Sequence, residues 1–119
     1  MVVNAASVTI NAASRDKIIY DVNAAWGLNS ADIPLSGTSD APLGSVIYAE
    51  ILGATGTVVG SAMPVATALA DGSWSGTYPG MVARADWMTP RAWVNGSTAP
   101  KVSRATVFGT GHGIAIWGQ

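Results

Sequence analysis

The sequence contains serine, histidine and aspartate, the side chains of a hydrolytic triad, but their setting does not predict catalysis. His112 is its one histidine, and it lies between Gly111 and Gly113 at the start of a predicted strand. A histidine in such a turn is typical of an incidental surface residue. No serine lies in the Gly-x-Ser-x-Gly turn that presents a hydrolase nucleophile. We therefore expect no enzymatic activity.

The side chains that bind metals are scattered along the chain. Cysteine is absent, so there is no thiolate metal site and no disulfide framework. Asp32 and Asp71 fit turn residues whose carboxylates accept local backbone hydrogen bonds. The carboxylates do not follow the spacing of a calcium-binding loop; they are Asp16, Asp21, Asp32, Asp40, Glu50, Asp71 and Asp86. We expect no metal and no other cofactor, although a calcium ion held by distant loops stays an alternative.

The tryptophans are a stronger signal, because five of them in 119 residues exceed what one core of this size usually needs. Two lie in weakly patterned segments close to charged side chains. An exposed indole beside arginine and aspartate can stack on a sugar ring while its neighbours bind hydroxyl groups. Tryptophan and arginine also dominate protein–protein contacts, and a third interpretation is that these indoles only close the ends of the fold. The predicted ligand- or partner-binding residues are Trp26, Arg84, Asp86, Trp87 and Arg91.

Charge is scarce. Charged residues make up 11% of the chain, against roughly 25% in an average soluble domain. With 6 basic and 7 acidic side chains the formal charge is −1, which leaves no basic surface for nucleic acid. Such a surface suits a protein that contacts partners or copies of itself, or it is only the neutral polar surface of a small β protein.

The N-terminal segment has neither a basic start nor a continuous apolar core, so it does not read as a secretory signal. No run approaches the roughly 20 apolar residues that cross a bilayer. We expect no membrane insertion, and an extracellular or particle-associated location reached without a signal peptide in this chain.

Short strand patterns recur between turn residues, which predicts an all-β antiparallel sandwich. Asp71-Gly72 and Asn95-Gly96 are strong hairpin signals. Ser61–Ala70 has a helical alternative, but Pro64 favours a strand; Val82–Trp87 could form one helical turn. The predicted strands are Val8–Ile10, Lys17–Val22, Asp32–Gly37, Ser45–Leu52, Thr57–Val59, Val65–Leu69, Ser73–Tyr78, Ala92–Val94, Arg104–Phe108 and Gly113–Trp117.

Two strands carry clear inward faces. In Ala70–Tyr78 (ADGSWSGTY), Trp74 and Tyr78 share one face with Gly76, and the hydroxyl side chains share the other. In Ser45–Leu52, the residues predicted to point inward are Ile47, Ala49 and Ile51.

Four segments carry a family resemblance. Ala70–Tyr78 resembles the Asp-Gly-x-Trp turn and strand of bacterial immunoglobulin-like domains, and Asp32–Thr38 and Ser45–Leu52 are similar to their earlier strands. Phe108–Gln119 (FGTGHGIAIWGQ) resembles the strand that leads into an SGNH hydrolase of the sialate O-acetylesterase type. In that family Gly-Gln precedes the nucleophilic serine, and this sequence ends at Gln119.

The resemblance implies an immunoglobulin-like or fibronectin-like domain over residues 15–119, with residues 1–14 as an N-terminal arm or extra strand. It implies a non-catalytic domain that recognises surface polysaccharide or positions a neighbouring protein. Similar domains occur in phage-like particles. The alternative function is therefore a structural subunit of a phage or gene-transfer-like particle, such as a decoration, head-spike base or fibre protein. Such a subunit works through protein–protein contacts, and homo-oligomers are one form of them.

Overall fold

The computed structural model of the chain describes residues 5–12, 18–21, 30–82 and 84–111. These residues contain no helix, and hence none long and apolar enough to span a membrane. They form nine β-strands: β1 (Val8–Ile10), β2 (Ile18–Asp21), β3 (Ser30–Ser39), β4 (Val46–Leu52), β5 (Val58–Thr67), β6 (Ser73–Val82), β7 (Arg84–Val94), β8 (Val102–Ser103) and β9 (Phe108–Gly111).

The strands form two sheets. The smaller sheet has the order β1-β3-β6, and the larger has the order β2-β9-β7-β4-β5, with β8 paired to β7. Neighbouring strands are antiparallel except β2 and β9, which run parallel. The prediction of an all-β chain in antiparallel sheets is thus confirmed, with that one parallel pair as the exception.

The core lies where the two apolar faces meet. Ile47, Ala49 and Ile51 of β4 are fully buried. Trp74 and Tyr78 of β6 are 1% and 2% exposed. These are the inward residues that alternation along the strands predicts. The buried hydrophobic set is Val8, Ala31, Ile33, Leu35, Ala41, Ile47, Ala49, Ile51, Ala68, Trp74, Tyr78, Met81, Met88, Ala92, Val94 and Phe108.

A bulge in β6 shifts its alternation by one residue. Ile33 pairs with Tyr78 and Ala31 with Met81, so two residues of β6 oppose Asp32 alone. Gly80 in this bulge has a φ of 72°, a conformation that favours glycine. Its N–H donates to Asp32 Oδ1 at 3.1 Å. The prediction of Asp32 as a turn residue is therefore wrong: it lies in β3 and binds the amide of the bulge.

Asp71, in contrast, does what the sequence predicts. Its Oδ1 accepts hydrogen bonds from the backbone N–H of Ser73 at 2.9 Å and from the Ser73 hydroxyl at 2.6 Å. These two bonds lower the pKa of Asp71, because they stabilise the carboxylate form. The turn does not close a hairpin, however, since β5 and β6 belong to different sheets.

Two strands are longer than the sequence suggests. Thr57–Val59 and Val65–Leu69 are predicted as separate strands, but β5 runs continuously from Val58 to Thr67. It contains Pro64, which is tolerated because β5 is an edge strand of its sheet. The helical turn predicted over Val82–Trp87 is also wrong, because β7 begins at Arg84 and pairs with both β9 and β4.

The edges of the two sheets meet along β5 and β6. The Tyr78 hydroxyl donates to the carbonyl oxygen of Ser61 at 2.6 Å. A Cβ atom on Gly76 would lie 1.8 Å from the carbonyl oxygen of Val65, so only glycine permits this close approach.

We expect Gly76→Ala to lower the free energy of unfolding by about 1–3 kcal/mol or more, because the added methyl group pushes the backbone of β6 away from that of β5. Urea unfolding followed by tryptophan fluorescence measures the change. Ser75→Ala, at the exposed neighbouring position, is the matched control. Equal urea midpoints for the two variants would contradict the close approach of β5 and β6.

Candidate functional site

Strand β7 distributes the predicted site residues between its two faces. Met88, Pro90, Ala92 and Val94 are buried, so alternation places Trp87 and Arg91 on the solvent side of the larger sheet. Arg84 and Asp86 follow the phase of the buried residues at the start of the strand. Trp26 lies outside the described residues, as do His112 and the strand predicted over Gly113–Trp117. Because Arg84 and Asp86 follow the phase of the buried residues, they do not share the face of β7 that carries Trp87.

Arg84 and Asp86 form a local clamp on the turn between β4 and β5. Arg84 Nε donates to Asp86 Oδ1 at 2.8 Å, and Arg84 Nη2 donates to Oδ2 at 3.2 Å. The same Oδ2 accepts the backbone N–H of Ala54 at 3.1 Å. The bond from Arg84 is the main cause of a lowered pKa at Asp86, and the bond to Asp86 raises the pKa of Arg84. The two side chains thus form an ion pair that also binds the backbone of this turn.

Arg91 belongs to a different group of side chains, on the solvent side of the larger sheet. Ladder register aligns Tyr48 of β4 with Trp93 of β7, and Glu50 with Arg91. Lys101 precedes β8, which pairs with β7 on its other side. We call this group the outer strip; it consists of Tyr48, Glu50, Trp87, Arg91, Trp93 and Lys101.

Glu50 is the centre of the outer strip. It is 5% exposed, and a buried charged group needs partners inside the protein. Arg91 donates to Glu50 Oε2 from both Nε and Nη2, the former at 2.7 Å. Lys101 Nζ lies 3.5 Å from the same oxygen. Two cations thus share one carboxylate, and one positive charge is left over.

Trp93 lies between an aromatic ring and a cation. The Tyr48 ring centroid is 6.1 Å from that of Trp93, with the planes tilted by 32°. Lys101 Nζ lies 4.2 Å from the Trp93 ring centroid, within the range of a cation–π interaction. Both rings are half-buried. Lys101 therefore contacts the anion and the indole at the same time.

Of the six residues of the outer strip, only Trp87 and Arg91 are among the site residues predicted from the sequence. Tyr48, Glu50 and Lys101 are distant along the chain from Arg91, and only the register of three strands brings them together. A local signal was available for Trp93, because it alternates with the apolar residues of Ala92–Val94 and so points to solvent.

Between β5 and β6 there is also a groove of about 190 Å³. It is smaller than the roughly 300–1,000 Å³ of ordinary small-molecule sites. It is lined by Val59, Gly60, Ser61, Met63, Tyr78, Pro79, Gly80, Met81 and Val82, none of which is a charged side chain. Within the described part of the chain, no group of three or more carboxylate or imidazole side chains could hold a metal ion.

No protein-family model, curated protein or solved structure matches the chain. The geometry of the outer strip is therefore the basis for a functional proposal.

The ion pair between Arg84 and Asp86 predicts that the stability of the folded chain depends on pH. Because its pKa is lowered in the folded state, Asp86 contributes stability that is fully present above its ordinary pKa of 3.8. This contribution is lost as the pH falls through the lower folded-state value. We expect the difference in melting temperature between the wild type and Asp86→Asn to be constant from about pH 5 to 8 and to shrink below about pH 4. A difference that stays constant down to pH 2 would contradict the ion pair.

The contacts of Glu50 predict that its two cationic partners, Arg91 and Lys101, contribute unequally to stability. Arg91→Met removes two hydrogen bonds from a buried carboxylate, and we expect it to cost about 1–3 kcal/mol of unfolding free energy. Lys101→Met removes one long ion pair and the cation–π contact with Trp93 from a half-exposed side chain, and it should cost about 1 kcal/mol or less. Denaturant unfolding measures both. In a Glu50→Gln background the penalty for Arg91→Met should shrink, and an unchanged penalty would show that Arg91 acts by other contacts.

Proposed function

We propose that this chain is a non-catalytic recognition domain of the immunoglobulin-like class, which attaches to a surface polysaccharide through the outer strip. The observation that carries the proposal is the row of aromatic and charged side chains on the solvent side of β4 and β7. The proposed setting is extracellular or particle-associated.

Strand order supports the immunoglobulin-like part of the proposal. In the constant type of that class the first, second, fourth and fifth strands share one sheet, and the third, sixth and seventh share the other. The two sheets agree with this division if β1, β3 and β6 are taken as the first, second and fifth strands and β4, β7 and β9 as the third, sixth and seventh; β5, in the place of the fourth, does not. Strand β5 then lies beside the third strand, and β2 is an added strand beside the last. The chain lacks the disulfide of antibody domains because it has no cysteine.

The chemistry of the outer strip supports a saccharide ligand. Sugar rings have apolar faces that pack on indoles and hydroxyl groups that bind charged side chains. Trp87 and Trp93 lie on one face of β7, and Arg91 lies between them. A strip spread along a flat sheet suits an extended polymer better than a small molecule in a pocket. The kinship with accessory domains of SGNH hydrolases, which the sequence motifs suggest, would fit this role.

A second candidate function is that of a structural subunit in a phage-like particle. The observation in its favour is a set of exposed apolar residues at both ends of the sandwich. Leu43 and Leu69 lie in turns at one end, 69% and 47% exposed. Val58 and Val82 lie at the other, 52% and 51% exposed. Head-to-tail assembly requires two different patches on one subunit, such as these at its opposite ends.

The glycan proposal predicts that Trp87→Ala and Trp93→Ala each lower affinity for a bound polysaccharide by about tenfold or more, because an aromatic contact of about 1.5–3 kcal/mol is lost. Retention on a polysaccharide array, followed by affinity electrophoresis, measures the effect. Thr77→Ala, on the outer face of the smaller sheet, is the control and should bind as the wild type does.

Circular dichroism of each variant separates loss of binding from loss of fold. Assembly makes a different prediction: concentration-dependent oligomers in light scattering that Val58→Ser or Leu69→Ser dissolves, whereas the tryptophan variants leave them intact. A monomer whose tryptophan fluorescence responds to no polysaccharide would contradict both functions.

A further inference from the structure

The outer strip has an excess of positive charge in a chain whose net charge is −1. Arg91 and Lys101 face one carboxylate, that of Glu50. Among the carboxylates whose exposure the structure describes, the exposed ones lie elsewhere: Asp32 in β3 of the smaller sheet, and Asp40 and Asp71 between strands. An anionic ligand would therefore meet a favourable local field on the outer strip.

Arg91 has donors to spare for such a ligand. Its Nε and Nη2 donate to Glu50, which fixes the guanidinium plane. A guanidinium has five N–H donors, so those of Nη1 are left for a bound group. The side chain is 30% exposed, and a guanidinium already oriented by one carboxylate loses little freedom when it binds a second.

Lys101 is held more loosely. Its side chain is 43% exposed, and its Nζ is 3.5 Å from Glu50 Oε2, so this ion pair is long and open to water. The same ammonium group lies 4.2 Å from the ring centroid of Trp93. A sugar that stacks on this face of the indole must first displace the ammonium group.

That displacement distinguishes two classes of sugar. A neutral sugar gains the stacking contact but loses the cation–π interaction, and it offers the ammonium group only uncharged hydroxyl acceptors. A sugar with a carboxylate offers Lys101 a stronger partner than the indole. Movement of the lysine then exposes the ring as it binds the ligand.

We propose that the outer strip binds a carboxylate-bearing sugar, a uronic acid unit of an acidic polysaccharide, with Arg91 and Lys101 on its carboxylate and Trp93 under its ring. This inference rests on the proposed polysaccharide-binding function and narrows its ligand.

The test uses three acidic polysaccharides: polyglucuronate, polygalacturonate and alginate. Each is paired with its carboxyl-reduced form, in which the carboxylate has become a primary alcohol and the sugar chain is otherwise unchanged. Affinities of the full chain for all six are measured by affinity electrophoresis. We expect at least one acidic polymer to bind about tenfold or more tightly than its reduced partner, the equivalent of one charge-assisted hydrogen bond.

Lys101→Gln should remove most of this preference, whereas Arg84→Gln, which removes the same charge outside the outer strip, should keep it. Loss of the preference in both variants would indicate general electrostatic attraction and overturn the inference. Equal binding of acidic and reduced forms, or binding of reduced forms only, would also overturn it and leave the proposed function intact. Failure of all six polymers to bind would overturn both.

Discussion

The smaller sheet depends on the indole N–H of Trp74. Trp74 is 1% exposed, so its one donor must find an acceptor inside the protein. It donates to the carbonyl oxygens of Thr9 in β1 and Thr38 in β3, both at 3.1 Å. A single side chain of β6 therefore ties together all three strands of that sheet. The chain path accommodates it with Gly37, where a Cβ would lie 1.9 Å from the Thr9 oxygen and 2.8 Å from the indole nitrogen.

The larger sheet has a corresponding organising strand in β7. Its inward residues complete the core, and its outward residues form the central row of the outer strip. The two roles are coupled, because the register that buries Ala92 against Ala49 also sets Arg91 opposite Glu50. Slipping the pairing by one residue would turn the apolar face outward and separate the charges. Binding surface and core are thus fixed by the same hydrogen-bonded ladder.

The sequence predicts the features of this fold that depend on local pattern. Alternation identifies the inward faces of β4 and β6, and Asp71 is recognisable as a turn residue from its type and its neighbour. Features that depend on distant partners are not predictable in this way. Asp32 reads as a turn residue because its true partner, the amide of Gly80, lies 48 residues away. Val82–Trp87 is predicted as a turn of helix because the strands that pair with its residues from Arg84 onward, in β7, come from elsewhere in the chain.

The candidate site follows the same division. Tryptophan and arginine near each other suggest recognition, and Arg91 and Trp87 do share a face. Residue type alone cannot separate an arginine that closes a turn, such as Arg84, from one that faces solvent. Alternation within β7 makes that distinction, but it requires the strand to be known. Glu50 is the clearest example, because nothing in its local sequence indicates that a nearly buried carboxylate will hold two cations.

The contact between β5 and β6 has a consequence for solubility. Strand β5 (VVGSAMPVAT) has no charged residue over its ten residues, and charge is the usual protection of a sheet edge against pairing with other chains. Pro64 interrupts the edge at one position, and the approach of β6 covers it elsewhere through the Tyr78 hydroxyl and the flat surface of Gly76. Conditions that separate β5 from β6 while the core stays folded would expose a neutral strand that can pair with strands of other chains. Aggregation of a protein that is still folded would then be the first sign that the contact between β5 and β6 is lost.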